Sequence, residues 1–215
     1  MKRFLLATAL GLGLMAPASA QINTVPQVGL TTGYLAKNTY SSAFFGLAPV
    51  LTAGTDEVCI TGSATKVVRV QRITIYGTTA TSTQNLVLNL VRRASLDTGG
   101  TAASTTANPG IATQIASRDT GQTPNTASTA VLVSYTAAPT IVDTAPVYVD
   151  SQNLYMPLVA SVSAGGAADF HFARDAENNV QVATLRGATQ QICVNNATTI
   201  LAASLWNGVI VWTEE

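Results

Sequence analysis

Two cysteines, one histidine and a few short polar runs are the places where this 215-residue chain could carry chemistry. Cys59 and Cys193 can form a disulfide if the chain reaches an oxidising compartment, and a bridge of that span would join an early strand to a late one. The alternative is two separate buried thiols, since a free cysteine packs as a small hydrophobe. His171 is the only imidazole, and no G-x-S-x-G run supplies a nucleophile for a Ser-His-Asp arrangement. One histidine and two distant cysteines do not make a usual zinc ligand set. Ser63-Ala64-Thr65-Lys66 matches the S-x-x-K spacing that places a lysine one helical turn from a serine. Here it leads into β-branched residues, so a hairpin is expected and no catalytic residue is assigned. Asp175, Glu177, Asn178 and Asn179 crowd side-chain oxygens into five residues. Calcium takes such clusters, and so does an ordinary solvated turn. Asn196-Ala197-Thr198 matches the glycosylation sequon. Tyr34, Tyr40, Tyr76, Tyr148 and Tyr155 could stack on sugars, although most lie in strand patterns that would bury them. No cofactor is implied.

These residues must be positioned by strands. The longest β-branched run, residues 58–77, contains Val67, Val68, Val70, Ile73 and Ile75 and reads as one central strand. Its alternation slips phase between Val70 and Ile73, which a β-bulge near Gln71 and Arg72 would correct. Residues 85–93 place Leu86, Leu88 and Leu90 on one face, a half-buried strand expected to pair with its predecessor. Residues 94–128 are dense in turn chemistry and read as a long loop. Strand patterns resume at Val131, Val133 and Tyr135, then at 146–149 and 154–156 around an Asp150-Ser151 turn. Phe170 and Phe172 flank His171, which buries the rings and exposes the imidazole. Trp206, Ile210 and Trp212 share one face of a final strand. Eight or nine short strands with little helix predict an all-β, antiparallel β-sandwich of jelly-roll type, with an Ig-like sandwich as the alternative.

The first residues read as an export leader. Lys2 and Arg3 precede a 12-residue apolar run and Ala18-Ser19-Ala20, with cleavage expected between Ala20 and Gln21. Residues 1–20 are thus a signal peptide, 21–50 an N-terminal arm and docking segment, and 51–215 the sandwich. Localisation is expected to be periplasmic, extracellular or cell-surface, with no membrane span after leader removal. Only 10% of residues are charged and 47% are hydrophobic, which suits an exported β protein held in an assembly and not a disordered chain. No basic excess supports nucleic-acid binding.

Several segments resemble a group of small β-rich proteins encoded by tailed phages and prophages. They are Thr61-Gly62-Ser63-Ala64-Thr65-Lys66 with Val68-Arg69-Val70 and Arg72-Ile73, then Arg92-Arg93-Ala94-Ser95, Thr98-Gly99-Gly100-Thr101, Tyr135-Thr136-Ala137-Ala138-Pro139-Thr140 and Val211-Trp212-Thr213-Glu214. The resemblance implies a virion-associated structural module, a trimeric jelly roll decorating a capsid or tail. The secretory leader departs from that pattern. The expected function is a non-enzymatic structural or surface-interaction protein that forms a trimer or larger homo-oligomer, with a cell-surface or virion partner. The alternative is a secreted carbohydrate- or ligand-binding domain.

Overall fold

The computed structural model describes residues 38–102, 114–117, 128–160, 165–172 and 183–215. The expected cleavage site at Ala20 and Gln21, the arm over 21–37 and the calcium candidates Asp175, Glu177 and Asn178 lie outside the described residues. Among those residues the regular structure is all β, in two antiparallel sheets packed face to face. No helix among them is long and apolar enough to cross a membrane.

The first sheet contains β1 (Asn38–Leu47), β3 (Val68–Thr79), β6 (Gln114–Ser117), β9 (Ala167–His171), β10 (Ala183–Leu185) and β12 (Ser204–Glu214). Its order is β10-β3-β12-β1-β6, and β9 pairs with the later half of the β3 edge whose earlier half pairs with β10. The second sheet contains β2 (Thr55–Thr61), β4 (Gln84–Arg93), β5 (Thr101–Ala102), β7 (Leu132–Ser134), β8 (Val147–Met156) and β11 (Gln191–Asn196), ordered β5-β7-β2-β11-β4-β8. The first and last long strands, β1 and β12, are neighbours.

The phase slip in the β-branched run has the expected cause. Val211 pairs with Arg72 and Trp212 with Val70, so Gln71 is the extra residue of a bulge. Val68, Val70, Ile73 and Ile75 all reach the core through it. Phe170 and Phe172 are buried around an exposed His171. Between the sheets, Tyr40 stacks on Trp212 with ring centroids 5.9 Å apart, and Leu86, Leu88 and Leu90 face them from the second sheet. Gly208 on β12 has a structural reason: a Cβ there would collide with the Phe44 ring and the Thr74 carbonyl.

Four sequence expectations are corrected. Residues 58–77 are not one strand but the end of β2 and most of β3, in different sheets. Between them Ser63 Oγ accepts hydrogen bonds from the Thr65 and Lys66 amides and turns the chain. β4 does not pair with β3. The short connection crosses between sheets, and β4 lies between β11 and β8. Residues 38–47, read as part of the arm and docking segment, are β1, inside the first sheet between β12 and β6, so the sandwich begins before residue 51. The two short strands expected around Asp150 and Ser151 are one continuous strand, β8, with Val149 bulged. Local turn chemistry misled in that last case because a bulge uses the same residue types.

Candidate functional site

Strands covered on one face alternate in burial, and β3 and β4 largely do so. β2 and β11 do not: every residue of both is buried. The second sheet therefore has a second covered face, away from the main core. Register sets its occupants. Cys59 lies directly opposite Cys193, which lies opposite Val91. The two cysteines form a disulfide, and Val50, Val91, Val133 and Tyr135 pack around it. Tyr135 is buried, where the sequence pattern grouped it with the half-exposed Val131. Two glycines bring the covering loop down. Gly99 has φ +91°, and a Cβ at Gly100 would strike Val133 and Tyr135.

Beside the disulfide is a buried polar cluster. Arg93, at the end of β4, forms a paired hydrogen bond with Asp56 of β2, Nε to Oδ2 and Nη2 to Oδ1 (3.0 Å for the second). Asn195 Nδ2 donates to Asp56 Oδ1 at 2.6 Å. Arg93 Nη1 donates to the Asp143 carbonyl at 2.6 Å, which ties in a third segment. Asp97, on the covering loop, lies 3.7 Å from Arg93 Nε, its side chain fully buried. Among the described residues neither Asp97 oxygen nor Gln191 Nε2 makes a hydrogen bond of ordinary geometry, although Asp97 adjoins both Asp56 and Gln191. Burial raises the Asp97 carboxyl to about 7, hydrogen bonding with Asp56 and its charge add to the rise, and Arg93 and Gln191 oppose it. Burial works against the Arg93 charge, but the hydrogen bond and charge of Asp56 hold the guanidinium above its ordinary range.

Glu57 is the bulged residue of β2, between the Val58–Val194 and Asp56–Asn195 pairs. Its Oε2 accepts from the Val50 amide at 2.8 Å and its Oε1 has no partner among the described residues. Burial pushes this carboxyl up to about 8, against the pull of the Val50 hydrogen bond. Glu214 is the counter-case. It is also buried, which raises its pKa. Hydrogen bonds from Ser128 and the amides of Ala130 and Thr129 outweigh that and hold it near 2. Lys66 Nζ lies 3.2 Å away.

A pH dependence follows. Between ordinary carboxyl values of 3.8 and 4.5 and folded values of about 7 and 8, the folded state binds more protons than the unfolded chain at Asp97 and Glu57. Stability therefore falls as pH rises through that window. Glu214 acts oppositely: its contribution is complete above 4.5 and is lost as pH falls towards 2. Maximum stability is expected near pH 4–5 on these grounds (an approximate position). Glu57→Gln is expected to raise unfolding stability at pH 8 by about 2 kcal/mol and to leave pH 5 nearly unchanged. Denaturant titrations at the two pH values test this, and equal effects at both would refute it.

The sequence candidates are placed as follows. Ser63 is a turn residue and Lys66 pairs with Glu214, so the S-x-x-K spacing builds no activated serine here. Asn196 is fully buried, donating to the Val50 and Thr52 carbonyls and accepting from the Thr55 amide, so its sequon is structural. Tyr40 is in the core, but Tyr76, Tyr148 and Tyr155 are exposed, contrary to the strand-pattern reading. Asp56, Glu57, Arg93, Asp97, Gln191 and Asn195 were missed. One signal existed: Asp56-Glu57 directly abuts Val58-Cys59-Ile60, and acids are depleted from strands unless something holds them.

The other feature that could meet a partner is β8, the terminal strand of the second sheet. Residues 147–151 are all exposed, including Val147, Tyr148 at 66% and Val149. Comparison with family models, with curated proteins and with solved structures finds no match.

Proposed function

We propose that this is a non-enzymatic, exported structural or surface-interaction protein that self-associates through its sandwich, with the β8 edge as the contact. The observation that carries this is a ten-residue terminal strand whose first half is exposed on both faces and carries Val147, Tyr148 and Val149. A sheet edge of that kind presents unpaired backbone donors and acceptors, and monomeric proteins blunt such edges with charge, proline or cover. β8 has one acid there, Asp150, a bulge at Val149 and Pro146 just ahead of it, but no lysine.

We also infer jelly-roll connectivity. Counting β9 and β10 as one strand position, β1, β3, β9/β10 and β12 lie in one sheet, and β2, β4, β8 and β11 in the other. The first four long strands alternate between sheets, and the last two close beside the first two. Jelly rolls recur in capsid and lectin domains, so the fold supports the assembly reading by analogy alone. The buried disulfide suits an oxidising compartment and so supports export. A virion setting is the variant suggested by the phage-protein resemblance. The exposed Tyr76, Tyr148 and Tyr155 favour a second reading, a carbohydrate-binding surface.

The test is mass in solution. Light scattering on the mature chain is expected to report a trimer or larger assembly. Val147→Lys with Val149→Lys is expected to return a folded monomer. A wild-type chain that stays monomeric at high concentration would end this reading, and binding to a glycan array would then favour the second.

A further inference from the structure

The disulfide and the two acids beside it form a compact donor set. One ligand atom each from Asp56, Cys59, Asp97 and Cys193 lies within 4.8 Å of the other three. Ligands of a tetrahedral zinc ion sit at about 2.0–2.3 Å from the metal, which places them roughly 3.3–3.8 Å from one another. Small side-chain movements therefore separate these four atoms from a coordination shell. While the sulfurs are bonded to each other they are not thiolates and do not serve as strong ligands.

A second observation points to a ligand. Asp97 presents two carboxylate oxygens that make no hydrogen bond of ordinary geometry among the described residues, on a fully buried side chain that faces Arg93 Nε at 3.7 Å and adjoins Asp56 and Gln191. Its neighbour Asp56 is differently equipped. Arg93 donates to both of its oxygens and Asn195 to one, which fixes its orientation and leaves a metal the remaining lone pairs. Outer hydrogen bonds of that kind commonly orient the carboxylates that bind metals. Asp97 arrives from the covering loop and the other three residues from strands, so the loop would close the site.

We propose that the reduced protein binds a zinc-class divalent cation through Cys59 Sγ, Cys193 Sγ, Asp56 and Asp97, and that disulfide formation releases it. The steps balance. A thiol or phosphine reductant supplies two electrons, the S–S bond breaks, and two protons complete the thiols. Metal binding then displaces one proton from each sulfur as the two metal–sulfur bonds form. Two thiolates and two carboxylates bring four negative charges to the ion, and Arg93 offsets one of them. Oxidation by a disulfide-exchange partner reverses the sequence and frees the ion.

The experiment uses the mature chain, a phosphine reductant that does not compete for metal, and zinc or cobalt ions alone as probes. The reduced chain is expected to take up one ion. Cobalt should give the absorption of a tetrahedral site with sulfur-to-metal charge transfer. The oxidised chain should take up none. Asp97→Asn is expected to weaken binding by tenfold or more while leaving the disulfide able to form. If reduction unfolds the chain, metal is expected to refold it, read by circular dichroism. No uptake and no refolding, uptake equal in both redox states, or a cobalt spectrum without sulfur ligation would each overturn the proposal.

Discussion

Replacing Arg93 by methionine is expected to destabilise the protein by about 3–5 kcal/mol, the usual loss when one partner of a buried ion pair is removed. The size follows from what remains. Asp56 keeps one donor, Asn195, and loses the two-pronged guanidinium. Asp97 keeps none. Two carboxyl groups would then share a dry space with no cation facing both among the described residues. The chain can respond only by taking up protons, so the loss is expected to be larger at pH 8 than at pH 5. Arg93→Lys is expected to fall between wild type and Arg93→Met, because an ammonium cannot reproduce the fork that engages both Asp56 oxygens. The decisive variant joins Arg93→Met to Asp56→Asn and Asp97→Asn. Removing all three charges together is expected to recover most of the stability, since the cost lies in leaving charges unpaired. Urea titrations of the single and triple variants measure this, and a triple variant no more stable than Arg93→Met would refute it.

How much of this was legible in the sequence depends on which face a residue occupies. The main core was readable because its signal is periodic. Leu86, Leu88 and Leu90 alternate, Trp206, Ile210 and Trp212 share parity, and the break between Val70 and Ile73 implied the bulge that Gln71 supplies. The second covered face was not readable, because it arises from loops folding back over β2 and β11. No local pattern states that Gly100 will meet Tyr135 or that Asp97 will stop beside Arg93. Strand partners failed for a related reason. A short connection was taken to mean a hairpin, whereas β3 and β4 lie in opposite sheets. Connection length limits distance, and two packed sheets about 10 Å apart satisfy it as well as two paired strands do. Glu214 illustrates the same limit. Its donors Ser128, Thr129 and Ala130 stand more than eighty residues away, so the best-satisfied acid described here carries no sequence mark.

Removing the Cys59–Cys193 bridge by Cys59→Ala with Cys193→Ala is expected to cost about 5 kcal/mol on the chain-entropy account of a long crosslinked loop. The cysteines are 134 positions apart in sequence. They sit directly opposite each other on the two central strands of the second sheet, in a register that β4 and β7 support on either side. The native sheet thus holds the two positions together unaided, and the bridge acts chiefly by restricting the unfolded chain. Two consequences distinguish this from simple loss of packing. The denaturant dependence of unfolding should steepen without the bridge, because the uncrosslinked chain exposes more surface. Restoring volume with Cys59→Val should recover little, because volume is not what was lost. The cysteines and Arg93 border one cluster, so their effects should not add. Without the bridge the covering loop can settle, and Arg93→Met is expected to cost less there than in the bridged protein. A double-mutant cycle measures that coupling. Unchanged midpoint and slope on removing both cysteines would instead mean that the unfolded chain is already confined by other contacts.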